Sequence, residues 1–169
     1  MRIGRIVGLA LFLLFSASIS FADETQDAAQ SMVTTLGLGT NLGSLGLQAA
    51  KRMTTYAIIV RQLGEAKAEA LVKEELGRVQ PKYQKQWNDN LALSYAEFFE
   101  PAEMQSIASE RQTSQHFAKF INKQPEVGQS MQGRSKDLLI AFVVDGMKGA
   151  LTKVANEAQQ GASGGSQKP

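Results

Sequence analysis

The sequence predicts an all-α protein, a compact bundle of about five or six helices behind a cleaved N-terminal leader. Three observations carry that prediction. Apolar residues recur at steps of three and four along most of the chain. No segment shows sustained two-residue alternation between hairpin turns. Three of the four prolines, Pro81, Pro101 and Pro125, stand just ahead of helical patterns, where a missing N–H costs nothing.

The leader comes first. Arg2 and Arg5 precede the apolar run Ile6 to Phe15, and Ser20 and Ala22 occupy the −3 and −1 positions of a small-residue cleavage site. Residues 1–22 therefore read as a signal peptide, 23–157 as the helical domain and 158–169 as a disordered tail rich in Gln, Gly and Ser. Arg2 and Arg5 are the leader's only charges, so the 147 residues after Ala22 carry 16 basic and 16 acidic side chains. A formally neutral mature chain speaks against nucleic acid as a partner. A domain of this size buries roughly 70% of its unfolded surface without help from disulfides, and the chain has no cysteine. The expected compartment is the periplasm. No second apolar run is long enough to span a bilayer, although an uncleaved leader would serve as an anchor.

Within the mature chain, Asp23 to Thr35 predicts a short first helix. Gly37, Gly39, Gly43 and Gly46 interrupt the pattern, and a long helix is expected from near Gln48 to about Arg78, with a bend or close contact at Gly64. Pro81 then opens a block with Tyr83, Trp87, Leu91, Tyr95 and Phe98 on one face and Phe99 beside the last. Pro101 opens a second block, which the polar stretch Ser109 to Gln115 splits in two. Pro125 opens the third, from Val127 to Val154, the longest and most apolar and so the candidate central helix. Charge is segregated along this order: residues 23–50 carry −3, 51–85 carry +4, 86–126 carry −3 and 127–169 carry +2. Unevenly decorated, solvated helix surfaces are the ordinary source of such blocks, and selective helix pairing is the alternative.

Few residues suggest chemistry. The stretch Gly37-Leu-Gly-Thr-Asn-Leu-Gly-Ser-Leu-Gly46 fails the dinucleotide fingerprint, because its third glycine comes one residue late and no strand precedes it. It lacks the Lys-Ser or Lys-Thr of a phosphate loop. A connector packed closely against its neighbours is the preferred reading, with membrane or partner contact through residues 36–47 as the alternative. His116 is the only imidazole, so it cannot anchor an ordinary zinc site alone. Together with a nearby serine or Glu110 it defines the enzymatic alternative, an envelope hydrolase. Glu97, Glu100 and Glu103 resemble a carboxylate cluster, but Glu103 falls in the first turn after Pro101, where the helix dipole favours an acid. Asp145 is an isolated acid in the apolar run Leu138 to Met147, with Lys148 three residues on to answer it. The aromatic stripe reads first as core and second as the lining of an apolar groove. Candidate ligand-binding residues are therefore Trp87, Tyr95, Phe98, Phe99 and Asp145; no catalytic set, metal site or cofactor is called for.

The segment Tyr95-Ala-Glu-Phe-Phe-Glu-Pro-Ala-Glu-Met104 resembles the aromatic-x-x-x-Phe-[Thr/Ser]-x-Glu-Glu-[Leu/Met] element of a bacterial envelope family known as domain of unknown function 2059. Phe120-Ile-Asn-Lys-Gln-Pro125 and the amphipathic helix after it follow the order of that family, and the likeness covers roughly residues 80–150. The chain departs from the pattern at Gln112-Thr-Ser-Gln115, where the family has Ser-Pro-x-Gly. The resemblance implies an all-helical fold and an envelope location, and it brings no catalytic residues. The expectation is an exported, non-enzymatic helical domain that binds an envelope protein or a small apolar ligand.

Overall fold

The computed structural model describes the backbone of residues 17–164 and the side chains of residues 23–160. The chain is an all-α bundle, with seven helices among the described residues: α1 (Ala17–Leu36), α2 (Leu42–Ala50), α3 (Thr54–Leu63), α4 (Glu65–Ala96), α5 (Pro101–Glu110), α6 (Phe117–Asn122) and α7 (Gln124–Gly164). Short 3-10 turns at Leu38–Asn41 and Arg111–Thr113 join α1 to α2 and α5 to α6. The leader expected over residues 1–22 lies outside the described residues, apart from the backbone of 17–22, which already belongs to α1. Among the described side chains, α1 begins to bury residues only at Ala28, and Ala29, Met32 and Val33 follow.

The count exceeds five or six because the glycine-rich region and the stretch after it break more often than their pattern suggests. In place of one helix from Gln48 to Arg78 there are α2, α3 and the first half of α4. Gly64 separates α3 from α4 with φ +80°, a conformation that side chains with a Cβ rarely adopt, so the expected bend is a full break.

Pro81 is the opposite correction. It lies inside α4 rather than at a helix start. Proline in a helix interior costs about 3 kcal/mol, since it loses one hydrogen bond and crowds the carbonyl four residues back. Here that carbonyl belongs to Gly77, and both residues are on the exposed side, open to water. On the opposite face Val72, Leu76, Val79, Tyr83 and Trp87 form one unbroken buried stripe. Packing that stripe against a partner helix outweighs the proline, because each fully buried large apolar side chain contributes roughly 1.5–3 kcal/mol. Pro101 does open α5, completing a reciprocal capping box in which Glu100 and Glu103 satisfy each other's backbone N–H groups. The polar stretch Ser109 to Gln115 does split the block: α5 ends within it at Glu110 and α6 begins after it at Phe117.

α7, at 41 residues, is the longest helix and lies along α4 as the main axis of the molecule. It continues into the segment expected as a disordered tail from Ala158: residues 158–164 extend the helix, with side chains exposed as far as Gln160. Adding a residue to an existing helix avoids the nucleation cost, so Ala158, Gln159 and Gln160 can propagate the turn. Residues 165–169 lie outside the described residues.

Two cores form on this axis. One gathers Leu42, Tyr56, Ile59, Leu76, Tyr83, Trp87, Phe142 and Met147 from α2, α3, α4 and the later part of α7. The other gathers Met32, Val33, Tyr95, Phe99, Met104, Ile107 and Phe120 from α1, the end of α4, the turn after it, α5 and α6, with Val127 from the start of α7. Leu91 packs against both. Between them, Asn90 donates to Ser135 Oγ at 2.9 Å and to the Arg134 carbonyl at 3.2 Å, fixing the register of α4 on α7.

Candidate functional site

The glycine-rich segment is a packing device. Leu42 and Gly46 are buried, and a Cβ added at Gly46 would overlap the Phe142 ring, while one at Gly43 would lie 2.8 Å from Gln80 Oε1. The glycine face of α2 is thereby committed to α4 and α7. This close approach leaves Leu38 and Leu45 half-buried at the side, and they become one wall of a trough.

The trough has a volume of about 660 Å³ and follows one face of α7. Its α7 wall consists of residues 124, 127, 128, 131, 132, 135, 136, 139 and 140. Steps of three and one keep these in a single stripe, which at 1.5 Å per residue runs for about 24 Å. Trp87, Leu91 and Tyr95 of α4 form the floor. Since Trp87 belongs to the first core and Tyr95 to the second, the trough lies where the two cores meet. Most polar groups along it are engaged inside the protein. The Trp87 indole N–H donates to Asn41 Oδ1 at 3.2 Å, the Tyr95 hydroxyl and the Gln124 amide bond at 3.2 Å, and Ser135 Oγ accepts from Asn90. Burial pushes the Tyr95 phenol upward, against the Gln124 hydrogen bond, so it stays neutral beside the apolar wall.

The five residues singled out from the sequence do not converge. Trp87 and Tyr95 share the trough. Phe99 is buried in the second core, its ring centroid 6.0 Å from that of Tyr95 and 6.5 Å from that of Phe120. Phe98 is half-buried and faces a separate shallow groove beside Glu97, Ser130 and Arg134. Asp145 lines a third groove, of about 650 Å³, on another part of the α4–α7 seam. Its partners are on α4: Lys82 Nζ donates at 2.7 Å and the Tyr83 hydroxyl at 2.7 Å. Lys148, the partner expected from spacing, acts on it only through longer-range attraction.

The sequence assigns no site role to Met131, Leu139 and Ile140, and it offers Leu38 and Leu45 only as part of the alternative membrane or partner contact through residues 36–47. A signal was present in Leu138-Leu-Ile-Ala-Phe-Val-Val144, which is apolar on more faces than one core contact requires. Ile140 and Val144 are accordingly 52% and 50% exposed.

The Asp145 groove is a clasp of ion pairs. Glu75 is buried on α4, and its carboxylate receives Arg78 Nε at 2.8 Å and Lys153 Nζ of α7 at 2.7 Å. Lys153 also reaches Glu74 at 2.7 Å. The Lys153 ammonium, opposed by burial and aided by Arg78, holds the Glu75 carboxyl below its usual range. Lys82 and then Tyr83 do the same for Asp145. At the other end of α4, Glu97 pairs with Arg134 of α7 and is lowered by it. Glu75–Lys153 and Lys82–Asp145 join two blocks that are both net positive, whereas Glu97–Arg134 joins a negative block to a positive one.

His116 faces an acid rather than a hydroxyl. Its Nδ1 lies 3.5 Å from Glu103 Oε1, and the other Glu103 oxygen takes Lys119 Nζ at 2.5 Å and the Glu100 N–H at 3.0 Å. Burial raises the Glu103 carboxyl, and the Lys119 and Glu100 donors override it, leaving the group below its usual range. The Ser114 hydroxyl accepts the backbone N–H of His116 at 3.1 Å and bonds Ser106 at 2.8 Å. A carboxylate at Nδ1 is the acid–imidazole half of a triad, but the neighbouring Ser114 hydroxyl is bonded to Ser106 and to the His116 backbone N–H rather than to the ring.

Among the described residues no helix is long and apolar enough to cross a membrane. No three His, Cys, Asp or Glu side chains among them gather as metal ligands. No protein-family model, curated protein or solved structure matches the chain.

Proposed function

We propose that this chain is an exported, non-enzymatic helical domain that holds a small apolar ligand in the trough between α7, α4 and the Leu38–Leu45 wall. The observation that carries the reading is the trough itself. Its volume of about 660 Å³ falls in the range of small-molecule sites, its walls are mostly apolar, and its in-protein hydrogen bonds leave little polar demand. Export rests on the leader pattern of residues 1–22, and cleavage after Ala22 spares Ala28, Ala29, Met32 and Val33, the core residues of α1 among its described side chains. The resemblance to the envelope family of unknown function points the same way.

Native mass spectrometry of the protein purified from its own periplasm tests the reading. The expected result is a chain beginning at Asp23 with a small apolar molecule attached, and loss of that molecule in Gly128→Leu. Gly128 lies on the trough wall with nothing within 4 Å of an added Cβ, so the leucine enters the ligand's space and leaves the core alone. A bare chain from native cells sinks the ligand reading, and recovery with residues 1–22 attached sinks the cleaved-leader reading.

A further inference from the structure

Resting on the trough as the ligand site, we infer that its ligand is a single-chain amphiphile with a carboxylate head, a long-chain fatty acid anion, seated with the head at Lys136. The trough has one charged residue along its whole lining, Lys136, and that ammonium makes no ion pair among the described residues. On the same two helices Lys82, Lys85, Arg134 and Lys153 are matched with acids, while Lys67, Lys73 and Lys148, which form no ion pair among the described residues, are not part of the trough lining. The other polar groups on the wall, Asn41, Gln124 and Ser135, have partners inside the protein. Gln132, one turn before Lys136 on the same face, is exposed and has no hydrogen-bond partner among the described residues. One ammonium and one amide a helical turn apart suit one negative charge with two acceptor oxygens, which a carboxylate supplies at the smallest size.

Length makes the same assignment. Lys136 stands close to one end of the trough, and from it the α7 wall continues past Met131, Gly128 and Val127 to Gln124. Twelve residues of helix are about 18 Å. Half of a bilayer's hydrocarbon core is roughly 15 Å, the length one acyl chain fills. A chain anchored at Lys136 therefore lies against Met131, Leu91 and Val127 and ends near Tyr95. The amphiphile's head is left at the open rim, since Lys136 is exposed, while its tail enters between the two cores.

The chain's sole tryptophan, Trp87, lies on the trough floor and reports occupancy by its own fluorescence. The mature protein, stripped of lipid by solvent extraction and refolded, is titrated with hexadecanoate and with hexadecanol below their aggregation limits. Hexadecanoate is expected to bind roughly tenfold tighter, the ordinary value of a charge-assisted hydrogen bond. In Lys136→Gln its affinity falls to that of the alcohol, and the alcohol's affinity is unchanged. Gly128→Leu, with its helical circular dichroism intact, loses both. Equal wild-type affinities, or a carboxylate preference that survives in Lys136→Gln, overturn the assignment of the head group while leaving an apolar site in place. A Trp87 signal that responds to neither compound, or binding of both that persists in Gly128→Leu, overturns the trough reading together with it.

Discussion

Two grooves of nearly equal volume open along the α4–α7 seam, about 650 Å³ beside Asp145 and about 660 Å³ beside Trp87, and they have opposite character. In the first, Glu75 and Asp145 are each held by cations that the same two helices supply. In the second, the polar groups are largely satisfied by neighbours and the remaining surface is hydrocarbon with a single unmatched ammonium. Size alone does not separate them. A groove whose charges answer one another has little left to offer a ligand, because any newcomer must displace existing charge-assisted hydrogen bonds. An apolar trough gains by being covered, since each buried methylene contributes about 0.8 kcal/mol.

The comparison breaks most decisively at what the two grooves share. Phe142 is fully buried, meets Tyr83 edge-on at 5.6 Å and lies beneath Gly46, in the core from which Val79 faces the clasp and Trp87 the trough. Phe142→Ala is expected to lower unfolding stability in urea by about 3–5 kcal/mol and to shift Trp87 emission to the red. A loss below about 1 kcal/mol would mean the grooves do not stand on a common core.

Glycine-to-alanine substitutions sharpen the contrast next. At Gly146, on the clasp side, a Cβ would lie 2.6 Å from Leu76 Cδ2 and 3.3 Å from its Cα, so the helices must separate. A loss of about 1–3 kcal/mol is expected from thermal or urea unfolding of Gly146→Ala. The same change at Gly128, on the trough wall, meets open space, and the gain in helix propensity is up to about 1 kcal/mol. Matching signs for the two variants would erase the distinction between a filled seam and an open one.

The smallest expected effect is with pH. Glu75, Asp145 and Glu97 are held below their ordinary carboxyl values by Lys153, Lys82 and Arg134 respectively. A carboxyl whose folded-state pKa is lowered contributes stability that is complete above its unfolded value and lost as pH falls through the folded one. The clasp should therefore weaken below about pH 4, where the Glu75→Gln variant loses less stability than the parent chain. The raised ammonium groups of Lys82 and Lys153 work in the other direction, and their contribution fades only as pH rises beyond 10.5. Hexadecanol binding in the trough has no titrating partner and should remain flat between these limits. Urea midpoints and Trp87 titrations across that range check both halves.

Much of the architecture was legible in local pattern. Pro101 with Glu103 marks the start of α5, because a capping box and a helix dipole act within one turn. The split at Ser109 to Gln115 and the dominance of α7 follow from polarity and apolar density, which are also local quantities. Pro81 was not legible, because the same residue serves a helix start and an exposed helix interior. The buried stripe from Val72 to Trp87, which overrides the proline, has its effect only once α7 lies against it. The candidate site shows the same division. Trp87 and Tyr95 were visible as a stripe, yet Phe98, Phe99 and Asp145, equally visible, went to a separate groove, a core and an ion clasp. Lys136 carried no signal at all, since an exposed lysine looks alike wherever it stands.

By itself, then, the sequence determined the helical class, the helix-start chemistry at Pro101 and the amphipathic faces that need partners. Those are consequences of backbone periodicity and nearest-neighbour capping, which act over a few residues. Tertiary structure alone decided which faces meet, how closely Gly46 and Gly146 let them approach, and where two cores leave a gap between them. A trough is a property of separated chain segments brought together, so no single helix in this chain contains it.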